Sequence, residues 1–126
     1  MGAKGNSRPS RVKVGFFNYR INWRSEEDWL SSPLNNDMQG MHDAHTGCLH
    51  IRVQESVHEQ ILRETLMHEI LHAIWWHQGL RDFSFPRKTD HLGDDQEERI
   101  VLAINHGLMG VLQENPKVMK WLSKLR

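Results

Sequence analysis

From Arg11 to Trp23, β-branched and aromatic residues (Val12, Val14, Phe16, Phe17, Tyr19, Ile21, Trp23) stand at largely alternating positions. A period of two predicts a half-buried strand or hairpin, because successive side chains leave opposite faces of a sheet. Residues 24–46 are polar and broken by Ser31-Ser32-Pro33, Asn35-Asn36-Asp37 and Gly40. They read as loop, with one helical turn available at Glu26 to Leu30. Alternation returns from Thr46 to Val53, with Leu49, Ile51 and Val53 on one side and Cys48, His50 and Arg52 on the other. That is a second strand segment.

The period then becomes helical. Ser56 with Glu59 three residues later forms a capping-box pattern, and Gly79 stands where a helix C′ residue belongs, so a helix is predicted over 57–78. Its apolar residues (Leu62, Leu66, Met67, Ile70, Leu71, Ala73, Ile74, Trp75) surround the axis. This predicts burial on several faces, under a sheet and another helix. Leu80 to Gly93 is polar, contains Pro86 and reads as a connecting loop that could act as a lid. A second long helix is expected from Asp94 through Ile100, Val101, Ile104, Leu108, Val111 and Leu112, halted by Asn115-Pro116. Pro116 then suits position N1 of a short last helix over Lys117 to Leu125. The predicted class is α+β: a short N-terminal sheet packed on a central helix, then a second long helix and a short C-terminal one.

Composition narrows the field. At 126 residues the chain is sized for one domain, expected over 11–126 behind a flexible segment 1–10 that lacks an apolar signal-peptide region. Sixteen basic and sixteen acidic residues cancel, so neither nucleic acid nor membrane is expected as a partner. The one cysteine, Cys48, excludes an internal disulfide and fits a reducing, cytoplasmic setting.

Chemistry concentrates in His68-Glu69-Ile70-Leu71-His72, an H-E-x-x-H pentad inside the first long helix. Residues i and i+4 differ by about 40° around a helix, so both imidazoles leave one face a turn apart, spaced for one Zn²⁺, with Glu69 beside them as candidate general base. With 9 His in the chain, chance alone gives about a 4% expectation of such a pentad, so its context must carry weight. Two imidazoles and a carboxylate buried together without an ion would cost several kcal/mol in desolvation.

Catalytic zinc normally takes three protein ligands and a water. The metzincin pattern would place a third His at position 78 and a Gly at position 75, where this chain has Gln78 and Trp75. His77, His91 and His106 remain minor alternatives. A carboxylate from the second long helix, Glu97 or Glu98, remains the main option. With this carboxylate, residues 64–116 resemble the compact gluzincin-type metallopeptidases of phage and prophage proteins. The likeness rests on Glu64-Thr65-Leu66-Met67-His68-Glu69-Ile70-Leu71-His72-Ala73, then Glu98, Val101, Ile104, Gly107-Leu108 and Asn115-Pro116. It implies a minimal zincin-like domain of the bacterial host cytoplasm, one Zn²⁺ and a peptide or protein substrate. Between the two glutamates, an N-cap at Asp94 makes Glu97 the capping residue and frees Glu98 for the metal; an N-cap at Asp95 reverses this.

The expected metal ligands are therefore His68, His72 and Glu98, with Glu69 taking a proton from water and passing it to the leaving amine. The strand Leu49 to Val53 is expected to pair with extended substrate. Tyr19, His77, His91 and Arg99 are candidates for stabilising the oxyanion, and His42 and His45 read as solvated loop histidines. A reading from another class is a non-catalytic, zinc-stabilised binding or regulatory module.

Overall fold

A computed structural model describes residues 8–34, 36–78 and 90–123, with the backbone alone for 90–95. The chain divides into two compact units, Met1–Leu80 and Arg81–Arg126. The class is α+β, with a four-stranded mixed sheet in the first unit.

The alternating N-terminal segment folds as the expected hairpin of β1 (Arg11–Val14) and β2 (Phe17–Ser25), with Val14 opposite Phe17. Gly15 makes its turn at a φ of +63°, the left-handed region that glycine enters without a Cβ penalty. The available helical turn is formed as α1 (Glu26–Leu30), where the Ser25 hydroxyl accepts a bond from the Asp28 N–H. Two strands follow, β3 (Gly40–Asp43) and β4 (Cys48–Val53), and the sheet order is β1-β2-β4-β3. Strands β2 and β4 run parallel, with Ile21 opposite Leu49 and Trp23 opposite Ile51. Parallel neighbours need a crossover; here α1 and β3 lie in it. Strand β3 was not expected, because Gly40-Met41-His42-Asp43 has no apolar period.

Helix α2 (Glu59–His77) covers one face of this sheet. Val14, Tyr19, Leu49 and Ala73 form one buried cluster, flanked by Leu66 and Ile70. Ile21, Ile51 and Leu62 form a second. Burying a leucine of this kind contributes about 1.5–3 kcal/mol. Two expectations are corrected. The helix starts after His58, whose side chain makes no capping bond. Ser56 instead lies in a turn closed by the Val57 N–H on the Gln54 carbonyl, so the Ser56–Glu59 capping box does not set the helix start. Burial falls mainly on the sheet face, since Ile61, Ile74 and Trp76 are exposed. Gly79 and residues 80–89 of the expected connecting segment lie outside the described residues.

The opposite sheet face is held by charge. Trp29 of α1 is fully buried there, and the Arg52 guanidinium lies 5.7 Å from the centre of its ring. Arg52 is only 6% exposed. It donates to Glu26 Oε1 and Oε2 at 2.6 and 2.5 Å and to the Asn36 and Met38 carbonyls at 2.5 and 3.2 Å. A buried guanidinium is tolerated when its fork is filled in this way. The hydrogen bond from Arg52 holds the Glu26 carboxyl below its ordinary range.

The second unit contains α3 (Asp90–Glu114) and α4 (Pro116–Leu122). Pro116 opens α4 after Asn115, where its missing N–H costs nothing. Helix α3 starts four residues before the expected Asp94. Gly93 is therefore inside it, tolerated at about 1 kcal/mol relative to alanine, and neither Asp94 nor Asp95 is its N-cap. Among the described residues no helix is long and apolar enough to cross a membrane.

Candidate metal centre

His68 and His72 project from adjacent turns of α2, both half-buried. Their Nε2 atoms are 3.2 Å apart, with ring planes inclined at 69°. Two ligands on a tetrahedral zinc, with bonds of about 2.0–2.1 Å, stand about 3.3 Å apart, so the pair already has a chelating bite. The helix brings the two residues to one face, because residues four apart are neighbours on its surface.

Glu69 is held differently. It is 6% exposed and packs against the first residue of β3. A Cβ at Gly40 would lie 2.9 Å from Glu69 Oε2, 3.0 Å from its Cγ and 3.0 Å from Thr65 Cγ2. A side chain at position 40 would therefore need Glu69 and Thr65 to give way, which glycine avoids where the strand approaches the helix. The carboxylate is held against β3 by tertiary packing, which the pentad spacing could not reveal.

Glu97 and Glu98 are both interior residues of α3, Glu97 half-buried and Glu98 exposed. Because the helix begins at Asp90, the capping argument that separated them does not apply. His106 is exposed on the same helix, and the side chain of His91 lies outside the described residues.

The oxyanion candidates divide sharply. Tyr19 is 1% exposed, and its hydroxyl lies 2.8 Å from His42 Nε2 and 2.5 Å from His77 Nε2. Tyr19 and His77 are thus engaged with each other on the sheet side of α2, whereas Arg99 is exposed on α3. His45 is exposed as expected, but His42 belongs to β3 and is half-buried. The reading of His42 as a solvated loop residue is corrected: Gly40 and Gly47 bracket a strand and its turn.

The surroundings of Cys48 and His50 do not favour a thiolate–imidazolium pair. Cys48 Sγ is 3.9 Å from His50 Nδ1. Burial pushes the thiol up, and burial together with Arg24 pushes the imidazole down. An activated thiolate–imidazolium pair needs the reverse. No family model, curated protein or solved structure matches the chain.

Proposed function

We propose that this chain is a zinc-dependent metallopeptidase of the compact gluzincin kind, with His68, His72 and Glu98 as metal ligands and Glu69 as general base. The observation that carries the reading is the 3.2 Å separation of the His68 and His72 Nε2 atoms beside the buried Glu69. Two imidazoles with one carboxylate are a donor set that suits zinc. The resemblance over residues 64–116 to phage and prophage metallopeptidases supports the same choice.

Bound zinc would polarise a peptide carbonyl and lower the pKa of a water from about 15.7 towards 7. Glu69 accepts the proton released as water attacks, then returns it to the departing amine, so that one carboxylate serves as base and then acid. Its packing against Gly40 limits the conformations from which it can do so.

Substrate placement moves from the expected strand. β4 is paired on both sides, by β2 and β3, and has no free edge. β3 ends the sheet, so Gly40 to Asp43 is the edge that an extended peptide or protein segment would join.

Glu69→Gln tests the reading: the variant should retain zinc and lose peptide cleavage by about 10²-fold or more. Cleavage at the wild-type rate removes Glu69 as base. Zinc analysis of Glu97→Ala beside Glu98→Ala should show loss only in the second. If zinc-loaded wild type cleaves no member of a peptide library, the protein is instead a zinc-stabilised binding module.

A further inference from the structure

Outside the pentad, one point in the first unit gathers metal-binding atoms from three separate elements. Tyr19 arrives from β2, His42 from β3 and His77 from the last residue of α2. Both imidazole Nε2 atoms approach the same phenolic oxygen, at 2.8 and 2.5 Å. Each ring is also held from another side. Phe17 stacks on His77 with centroids 4.1 Å apart and planes 18° from parallel, Trp76 meets His42 edge-on at 6.1 Å, and Tyr19 is locked in the core with Val14, Leu49 and Ala73.

A phenol has one O–H. To satisfy both neighbours it donates to one imidazole and accepts from the Nε2–H of the other, which requires opposite tautomers on two histidines at the same oxygen. A cation needs no such asymmetry, since both neutral imidazoles and the phenol oxygen can turn lone pairs towards it. Burial first, and the carboxylate of Asp43, the next residue of β3, second, raise the pKa of the Tyr19 phenol and disfavour the phenolate; a cation at this oxygen would supply the opposing charge. Lengthening the two approaches from 2.8 and 2.5 Å to about 3.3 Å would give the phenol oxygen and each nitrogen the spacing of ligands around a tetrahedral ion. Both histidines are half-buried.

We propose that Tyr19, His42 and His77 form a second metal site, for a divalent transition ion that favours imidazole, such as Zn²⁺ or Cu²⁺. On binding, the ion takes both histidines in their neutral form, and the phenol gives its proton to solvent and coordinates as phenolate. The site uses none of the pentad residues, so it stands or falls separately from the proposed peptidase centre.

The test is titration with Zn²⁺ alone against a chromophoric chelator, in wild type and in the His68→Gln/His72→Gln variant. Wild type should bind two equivalents and the variant one. Adding His42→Asn or His77→Asn to that variant should weaken the remaining equivalent at least tenfold. Cu²⁺ in the same background should give a phenolate-to-copper charge-transfer band that Tyr19→Phe abolishes. No Zn²⁺ bound by the His68→Gln/His72→Gln variant, or an equivalent there untouched by His42→Asn and His77→Asn, overturns the proposal and leaves a hydrogen-bonded cluster. Circular dichroism establishes that each variant is folded, and if the double variant is not, loss of one equivalent from wild type on introducing His42→Asn and His77→Asn decides, no loss overturning the proposal.

Discussion

The two histidine groups of α2 have opposite origins. His68 and His72 are neighbours because residues four apart share a helix face, and their Nε2 atoms stand 3.2 Å apart. His77 meets Tyr19 and His42 only because the hairpin, the edge strand and the end of the helix close on one another. A site carried by one element survives distortion of its surroundings, whereas one assembled from three reports on the packing that joins them.

The largest test of this contrast is Leu62→Ala. Leu62 is buried with Ile21 and Ile51, and its truncation should cost about 2–5 kcal/mol in urea unfolding. Because sheet and helix share this core, both histidine groups should melt in one transition; separate transitions would break the link between them.

Ala73→Leu sharpens the contrast at a smaller cost of about 1–3 kcal/mol. Ala73 is fully buried in the cluster containing Tyr19. The added bulk should part Tyr19 from His77 while leaving the i, i+4 pair intact. Imidazole nitrogen NMR should therefore show His42 and His77 shifting and His68 and His72 nearly unchanged, and equal shifts in all four would defeat the idea.

The smallest effect concerns pH. Burial, with Arg24 second, lowers the pKa of His50 from its ordinary 6.5. The unfolded chain then binds more protons near that pH, so stability is present above about 6.5 and declines as pH falls through it. His50→Gln should flatten part of that decline between about pH 7 and 5 in thermal melts. An unchanged slope would show that His50 does not contribute.

Legibility followed the same division. The hairpin, the later strand and the pentad were readable because each has a period or spacing set by adjacent residues. Strand β3 was not, because its pairing with β4 orders it without an apolar pattern of its own. Arg52 was read only as one side of an alternating strand, and nothing local showed that Glu26 and two distant carbonyls would fill its donors. His42 was passed over for a similar reason: glycines on either side suggest a loop, while its partners lie 23 residues away in Tyr19 and at the end of α2. The early start of α3 shows the limit of reading caps, since Gly93 and two aspartates mimic a boundary inside a continuous helix.

The missing side chain at Gly40 makes residues 40 and 69 a single unit of variation. A methyl group there would stand 2.9 Å from the glutamate's outer oxygen, so Gly40→Ala pushes the carboxylate aside, and aspartate at 69 would relieve the contact by drawing the carboxylate back. Sequence change at this edge strand is thus tied to the reach of the proposed base. Among descendants of this chain, the two positions would be expected to drift together or not at all.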